Sequence, residues 1–292
     1  MLTREIEIPQ RPWSSAEAFR HCERITRNHY ENFPVASLFL PRERRKYVCA
    51  IYAFARTADD FADEPGFTPA ERIESLNSWE LQLNECLKGN ARHRVFAALA
   101  ETIDRFQIPP ELFRNLLQAF RQDVTTHRYE TFGALRDYCR NSADPVGRLV
   151  LLLFNYRSES LAELSDSICT ALQLTNFWQD IHIDAGRDRI YVPAEDMKEF
   201  SYTEEELTNM TFNPEFKRLL SFEIERTRDL FLRGKPLLSE VGKDLAFELK
   251  LTWNGGMKIL EKIERNHYDV FRNRPHLTLS NKVGIFFSSL LA

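Results

Sequence analysis

Acidic side chains one helical turn apart occur in two segments of the chain. In the first, VCAIYAFARTADDFAD at 48–63, an α-helix would gather four side chains into a sector of about 60°; they are Tyr52, Arg56, Asp59 and Asp63. Asp60 lies well off this stripe, so we expect it behind the site or at the surface. Acids on a helix usually form a solvated face, and that interpretation stays open for this segment.

The second segment, ICTALQLTNFWQDIHID at 168–184, carries polar residues on an otherwise apolar helix. Its polar side chains share one narrow sector: Gln173, Asn176, Asp180 and Asp184. A helix that is apolar on nearly every other side is expected to be buried. Carboxylates buried without partners are costly, so the two aspartates must be paired or must hold a cation. An ion pair with a basic residue is the competing account.

Taken together, the two stripes predict one magnesium-dependent site that ionises a diphosphate. Mg²⁺ prefers a few carboxylate oxygens combined with waters and phosphate oxygens. It would neutralise the leaving diphosphate as the carbon–oxygen bond breaks. Arg56 is placed for a charge-assisted bond to phosphate. Arg187 and Arg189 follow the second stripe, where they could clamp the same anion or bridge a surface loop.

Other kinds of chemistry find no support in the sequence. There is no GxxxxGK[ST] or GxGxxG loop for a nucleotide, no GxSxG nucleophile setting and no HExxH zinc motif. The net charge of -4 is spread along the chain without a basic stripe, so we expect no nucleic-acid partner. Five widely spaced cysteines without a CxxC pair favour buried thiols over disulfides or zinc ligands.

Helical periodicity dominates the chain and predicts an all-α protein. We expect helices at about 14–30, 41–63, 69–88, 91–106, 110–127, 131–154, 158–184, 213–235 and 242–271, with an irregular stretch at 185–213. Because no Gly/Ser linker or repeat interrupts this pattern, we predict a single domain over residues 1–292.

The two ends of the chain bear on its location. The start, MLTREIEIPQ, lacks the apolar run of a secretory signal, and no segment approaches the roughly 20 apolar residues that span a bilayer. We therefore expect a cytoplasmic protein. The uncharged stretch VGIFFSSLLA at 283–292 either packs on the core or makes a shallow peripheral contact with the inner face of the membrane.

Six motifs, in this order along the chain, resemble the squalene/phytoene synthase family. They are ARTADDFAD (55–63), DVTTHRY (123–129), YCRNSADPVG (138–147), QLTNFWQDIHID (173–184), RDRIYVP (187–193) and HYDVFRNRP (267–275). The likeness spans about residues 15–283. The DxxxD spacing of Asp180 and Asp184 differs from the repeated DDxxD of head-to-tail prenyl diphosphate synthases and from the Asn-Ser-Glu triad typical of terpene cyclases.

This resemblance implies an all-α isoprenoid synthase fold, a helical bundle around a central cavity that holds two or three Mg²⁺ ions and an isoprenoid diphosphate. Carried over position by position, it implies metal roles for Asp59, Asp63, Asn176, Asp180 and Asp184. It also places Tyr52, Arg56 and Gln173 along the diphosphate or the reacting carbons. Tyr129 matches a tyrosine near the reaction centre and Tyr268 one that reaches the diphosphate, although either could be an ordinary core residue.

Within the family, HYENFPVAS (29–37) and NFWQDIHIDAGRDRIYVP (176–193) resemble the branch that converts presqualene diphosphate to hydroxysqualene in bacterial hopanoid synthesis. The branch implies a lyase with Tyr129, Arg56 and Tyr52 as catalytic residues, and Phe33 and Ser37 in contact with substrate. NADPH is not expected. Relatives that make presqualene diphosphate, phytoene or dehydrosqualene usually carry Ser-Phe in place of Asn32–Phe33.

Two alternatives stay open. One is a head-to-head condensing prenyltransferase that makes presqualene diphosphate, squalene, dehydrosqualene or phytoene. The other is a membrane-associated helical scaffold that has lost the chemistry, against which the intact aspartates argue. For the enzyme, the expected partners are the diphosphate substrate, the membrane surface and other enzymes of hopanoid synthesis.

Overall fold

The computed structural model of the chain describes residues 13–28, 40–63 and 65–291. Every regular element in these ranges is a helix, which confirms the predicted all-α class. The chain packs into two compact units, one within residues 1–125 and 148–157 and the other within 126–147 and 158–292. The single domain over 1–292 stays a prediction.

The first unit is built around its second helix. Its elements are α1 (Ser15–Asn28), α2 (Arg42–Asp63), α3 (Pro69–Leu87), α4 (Arg94–Phe106) and α5 (Glu111–Thr125). Phe54 of α2 is fully buried, with ring centroids 6.0 Å from Trp79 of α3, 5.9 Å from Phe96 of α4 and 5.2 Å from Phe113 of α5. These aromatic contacts hold one face of α2 in the core, so the polar stripe of α2 lies on another face.

The second unit is built around α8 (Glu159–Ala185). Its other elements are α6 (Phe132–Ser142), the start of α7 (Asp144–Leu153), α9 (Ala194–Glu199), α10 (Glu204–Thr208), α11 (Pro214–Gly234), α12 (Leu237–Glu240), α13 (Lys243–Arg265) and α14 (Leu279–Leu291). Trp178 of α8 is fully buried and donates from Nε1 to Thr227 Oγ1 of α11 at 2.8 Å. This bond satisfies the one polar atom of a large core side chain and fixes α11 on α8.

The YCRNSADPVG motif lets α7 approach α8 closely. A Cβ on Gly147 would lie 2.2 Å from Ser165 Oγ and 2.6 Å from Cys169 Sγ, so a larger residue would need these side chains to move. Asp144, only 5 % exposed, accepts a hydrogen bond at 2.8 Å from Thr170 Oγ1 of α8. The start of α7, with the Asp144 carboxylate, is thereby fixed against α8, the helix that carries the acidic stripe.

Three predicted boundaries were wrong. The expected helix 131–154 is divided at Ala143, because Pro145 supplies no N–H for a continuous helix and suits the first turn of a new one. The expected helix 242–271 ends at Arg265, since His267 and Tyr268 adopt positive φ angles of 53° and 68°. The stretch 185–213, expected to be irregular, contains the short helices α9 and α10.

The apolar segment near residue 283 belongs to α14, which packs on α13 through Phe286 and Phe247, with ring centroids 5.5 Å apart. Asn254 of α13 also donates to Ser289 Oγ at 2.9 Å. Across the described residues, every helix falls short of the length and apolar character that crossing a bilayer would require.

Candidate active site

The acidic stripe of α8 lies on the accessible side of its helix. Asn176 is exposed, whereas Gln173, Asp180 and Asp184 are half-buried. The apolar side chains pack into the second unit: Ile168, Ala171, Leu174, Phe177, Trp178 and Ile181 are buried. The expectation that α8 is buried on every side was therefore wrong, because one face of the helix is left to polar groups.

Asp180 forms the ion pair that the sequence left open as an alternative to metal binding. Arg274, in the segment between α13 and α14, donates from Nη2 to Asp180 Oδ2 at 3.0 Å and from Nε to Asp180 Oδ1. The Asp180 side chain is only 14 % exposed. This two-point contact is the geometry in which arginine binds carboxylates most strongly. Arg274 was not among the predicted site residues.

Asp184 is a half-buried carboxylate that has a second carboxylate, Asp180, beside it. Burial and the neighbouring Asp180 raise the pKa of Asp184 to about 7, against the opposing effect of Arg189, Arg187 and Arg274. The backbone N–H groups of Arg187 and Arg189 both donate to the Asp184 carbonyl oxygen at 2.9 Å, which turns the chain sharply at the end of α8. A cation near Asp184 would therefore stabilise its ionised form.

The oxygen donors of α8 suit a hard divalent cation. Asp180, Asp184 and Asn176 supply carboxylate and amide oxygens on one helix face, and Mg²⁺ typically takes one or two carboxylates together with waters and phosphate oxygens. Within the described ranges, no three His, Cys, Asp or Glu side chains gather as a metal site. The metal roles of these residues remain proposals.

On α2, Arg56 is engaged by carboxylates of its own helix. Its Nη1 donates to Asp59 Oδ2 at 3.0 Å and its Nη2 donates to Asp60 Oδ1. Asp60, which we expected behind the site or at the surface, thus contacts the stripe through Arg56. Burial raises the pKa of Tyr52, with Arg56 opposing and the two carboxylates adding to the shift. Asp63 is exposed at the end of the helix.

Two of the motifs run side by side in the second unit. The N–H of Ile190 donates to the His127 carbonyl oxygen and that of Ala194 to the Tyr129 carbonyl oxygen, each at 2.9 Å. Arg128 donates to the Asp188 carbonyl oxygen at 2.5 Å, to Asp188 Oδ1 at 2.6 Å and to a carboxylate oxygen of α10. These bonds fix the RDRIYVP segment against the DVTTHRY segment.

The pairing of these motifs gathers an aromatic cluster, which we define as Tyr129, Tyr138, Phe177 and Tyr191. The rings of Tyr191 and Phe177 are stacked at 3.7 Å and 6°. Tyr129 lies 5.8 Å from Tyr191 and 5.6 Å from Tyr138. Only Tyr129 was predicted as a site residue. The other three lie in the recognised motifs, but their spacing along the chain does not indicate that their rings meet.

A small pocket connects this cluster with the acidic stripe. It lies between α8 and the segment 189–192, and it is lined by Phe177, Trp178, Ile181, Asp184, Arg189, Ile190, Tyr191, Val192 and Leu207. An apolar, aromatic wall thus faces a carboxyl and a guanidinium group.

Tyr268 and Arg187 are the remaining predicted residues that the structure describes. Tyr268 is half-buried, and its hydroxyl accepts a hydrogen bond at 3.1 Å from Ser221 of α11, so it has a structural contact of its own. Arg187 is exposed at the end of α8. Phe33 and Ser37 lie outside the described residues.

A buried ionic network, which sequence reasoning missed, lies behind the RDRIYVP segment. Arg226 of α11 contacts Asp196 of α9 at 2.5 Å and Glu223 at 2.6 Å, and its guanidinium lies 3.6 Å from the centre of the Phe132 ring. Burial raises the pKa of Glu223 to about 8, with Arg226 opposing. The network holds α9, which directly follows the motif, against α11.

This architecture is shared with solved structures of isoprenoid synthase fold. One is a structure described as squalene synthase HpnC from Alicyclobacillus acidocaldarius, which is 41 % identical, with a TM-score of 0.84, and the match covers 88 % of this chain and 97 % of that chain. Another is a dehydrosqualene synthase in complex with ligand, at 25 % identity and a TM-score of 0.85, with 95 % and 96 % covered.

Curated sequences agree with the structural likeness. The phytoene synthase of Arthrospira platensis is 29 % identical over 93 % of this chain and 92 % of its own length. The 15-cis-phytoene synthase of Synechococcus elongatus is 28 % identical over 94 % of each chain. The family model described as squalene/phytoene synthase matches residues 26–281. The chain therefore belongs to the squalene/phytoene synthase family, whose members are enzymes of isoprenoid biosynthesis with the isoprenoid synthase fold.

Proposed function

We propose that this enzyme converts presqualene diphosphate to hydroxysqualene and diphosphate in bacterial hopanoid synthesis. The observation that carries the proposal is the resemblance of HYENFPVAS and NFWQDIHIDAGRDRIYVP to the branch that converts presqualene diphosphate to hydroxysqualene. The 41 % identity with the structure described as squalene synthase HpnC, compared with 25 % for the dehydrosqualene synthase and 28–29 % for the cyanobacterial phytoene synthases, supports a reaction of the squalene type over phytoene synthesis.

The proposed reaction balances without a redox cofactor. The carbon–oxygen bond of the substrate breaks, and its electron pair leaves with the diphosphate. The cyclopropylcarbinyl cation that remains rearranges, a water oxygen bonds to the product cation, and one proton is released. No carbon is reduced by a hydride, so NADPH is not required.

We assign the metal-binding roles to Asp59 and Asp63 of α2 and to Asn176, Asp180 and Asp184 of α8. Magnesium, when bound, supplies the positive charge that neutralises the leaving diphosphate. The raised pKa of Asp184, caused first by burial and then by repulsion from Asp180, supports this assignment, because a cation beside the two carboxylates would stabilise their ionised forms. Asp180 would exchange its contact with Arg274 for the metal, which leaves a guanidinium beside the incoming phosphate.

We assign diphosphate binding to Arg56, Arg187, Gln173 and Tyr268, and contact with the reacting carbons to Tyr52 and Tyr129, with Phe33 and Ser37 as further substrate contacts. Arg56 donates hydrogen bonds to Asp59 and Asp60, so it can bind a phosphate only if it gives up these bonds or makes the phosphate contact in addition to them. The aromatic cluster would stabilise the passing carbocation through the negative faces of its rings, an interaction of about 0.5–2 kcal/mol for each well-placed ring.

A product assay tests this proposal. Purified protein is incubated with presqualene diphosphate and Mg²⁺ without reductant, and the lipids and inorganic diphosphate are analysed. We expect hydroxysqualene and diphosphate in equal amounts, and neither product with the double variant D180N/D184N. Unreacted substrate, under conditions in which the protein is folded, would overturn the proposal.

Head-to-head condensation is the second candidate, and the curated phytoene synthases among the relatives favour it. In a parallel assay the protein receives C15 or C20 prenyl diphosphates alone. Formation of presqualene diphosphate, squalene or phytoene would assign a prenyltransferase instead. A scaffold without chemistry would gain no magnesium-dependent thermal stabilisation from a non-hydrolysable diphosphate analogue.

A further inference from the structure

The two motif segments that supply tyrosines to the aromatic cluster each lead into a helix. Tyr129 lies three residues before α6 begins, and Tyr191 lies three residues before α9 begins. The N–H of Phe132 in α6 donates to Glu195 Oε1 of α9 at 2.6 Å, and the N–H of Glu195 donates to the Glu130 carbonyl oxygen at 3.0 Å. The starts of the two helices are therefore bonded to each other close to both tyrosines.

Arg226 of α11 contacts both helix starts. Its Nη2 donates to Asp196 Oδ2 of α9 at 2.5 Å, and its guanidinium lies 3.6 Å from the centre of the Phe132 ring of α6. A guanidinium over an aromatic face combines cation–π attraction with stacking of two planar groups. One side chain of α11 thus fixes the positions of α6 and α9, and with them the ends of both motif segments.

The next residue of α11 holds the opposite side of the cluster. Thr227 Oγ1 accepts a hydrogen bond from Trp178 Nε1 at 2.8 Å. Trp178 directly follows Phe177, whose ring is stacked on that of Tyr191 at 3.7 Å. Consecutive residues of α11 therefore contact α8, which carries Phe177, and, through Arg226, the helix that follows Tyr191.

The charges around Arg226 direct its ion pair towards α9. The side chains of Glu223 and Asp196 are 1 % and 6 % exposed, and both contact the one guanidinium. Burial raises the pKa of Glu223 to about 8, with Arg226 opposing the shift and Asp196 adding to it. At neutral pH Glu223 is therefore protonated, and the carboxylate that balances the charge of Arg226 is the one on α9.

We propose that Arg226 is a positioning residue for the reaction, which holds Tyr129 and Tyr191 where their rings can stabilise the carbocation; this inference rests on the proposed function. A ring attracts a cation when the cation lies within about 6 Å of the ring centre, so a displacement of the tyrosines weakens the attraction. The less stabilised cation is then captured before it rearranges. A water oxygen bonds to the cyclopropylcarbinyl carbon, one proton is released, and presqualene alcohol forms in place of hydroxysqualene.

Hydrogen exchange tests the positioning without the reaction. R226K and R226M are compared with R228K and R228M, the same changes in a partly exposed ion pair two residues along α11. Exchange of the amides in 187–196 is followed by mass spectrometry, in metal-free protein that circular dichroism shows to be folded. We expect exchange roughly tenfold faster than in the wild type for R226M, and an intermediate rate for R226K, because lysine keeps the charge but not the planar fork. Both Arg228 variants should match the wild type in this segment.

The ratio of the two alcohols tests the effect on the reaction. This ratio does not depend on how much of the enzyme is folded, so a residue that only stabilises the fold leaves it unchanged. With presqualene diphosphate and Mg²⁺, R226K should raise the fraction of presqualene alcohol roughly threefold or more. Its kcat should fall while its KM stays within about twofold of the wild type, because the acidic stripe of α8 is intact. R228K should give the wild-type ratio.

Two results would overturn the proposal. Residues 187–196 could exchange as slowly in R226M as in R228M, or R226K could form the two alcohols in the wild-type ratio. Absence of hydroxysqualene with the wild type and R228K alike would contradict the proposed function. The exchange rates of 187–196 would then still support or overturn the positioning of this segment by Arg226.

Discussion

Replacing Arg226 with methionine should destabilise the enzyme far more than the same change at Arg228, two residues along α11. The partners of Arg226 are almost inaccessible, with side-chain exposures of 6 % for Asp196 and 1 % for Glu223. Removing one member of a buried ion pair costs about 3–5 kcal/mol, because the other member stays buried without its counter-charge. Arg226 itself is 21 % exposed, so we expect the lower end, about 3 kcal/mol.

Arg228 provides the control on the same helix. It pairs with Glu264, and the two side chains are 29 % and 32 % exposed, so R228M should cost about 0–1 kcal/mol. Urea unfolding followed by circular dichroism measures both variants. If R226M and R228M are equally stable within about 1 kcal/mol, the network around Arg226 does not hold α9 as we infer.

The pH dependence of R226M has a defined sign. The folded-state pKa of Glu223 is raised to about 8, above its ordinary value of 4.5, so the folded state binds more protons than the unfolded state between these values. Stability from this group is present at low pH and is lost as the pH rises through 8. Arg226 lowers the pKa of Glu223, so this pKa should rise further in R226M, and the pH range over which the folded state binds the extra proton should become wider. The loss in unfolding free energy of R226M relative to the wild type should therefore be smaller at pH 5 than at pH 8. The double variant E223Q/R226M should recover part of that loss at pH 8.

Further predictions concern the acidic stripe and the close contact of α7 with α8. D184N should raise the melting temperature of the metal-free protein at pH 8, since it removes a partly buried charge and its repulsion with Asp180, yet it should abolish stabilisation by Mg²⁺ with a diphosphate analogue in a thermal-shift assay. In the wild type that stabilisation should weaken as the pH falls below about 7, where the Asp184 carboxyl takes up a proton that competes with the metal. R274M should lower turnover and also destabilise the metal-free protein, because Asp180, only 14 % exposed, loses both contacts of a two-point ion pair; turnover equal to that of the wild type would show that Arg274 does not bind the substrate. G147A should cost about 1–3 kcal/mol in urea unfolding because its Cβ meets α8, whereas G284A, with open space around it, should stabilise by about 0.5–1 kcal/mol.

Short-range sequence signals, such as capping residues and prolines, were sufficient to predict the positions of most helices. Thr68 and Glu71 form the capping box that their spacing indicates at the start of α3, with Pro69 in the first turn. The division of α6 from α7 was also readable, since Pro145 stands in the middle of the predicted helix. By contrast, no local rule predicts that Tyr268, which is neither glycine nor asparagine, adopts a positive φ.

The site was predictable only as far as helix periodicity reaches. Asp180 and Asp184 share a face as expected, but the partner of Asp180 lies 94 residues along the chain, in Arg274. The meeting of Phe177 with Tyr191 likewise depends on how the segment after α8 turns back. Arg56 and Asp60 are four residues apart, a spacing that pairs opposite charges on a helix, so that contact could have been predicted from the sequence.

The most direct measurement of the proposed reaction is the origin of the product oxygen. Presqualene diphosphate is converted in water enriched in ¹⁸O, with Mg²⁺ and no reductant, and the product is analysed by mass spectrometry. Water capture of the cation predicts hydroxysqualene that carries one ¹⁸O atom, at the enrichment of the solvent. A hydrocarbon product, or an alcohol that contains only ¹⁶O, would contradict the account.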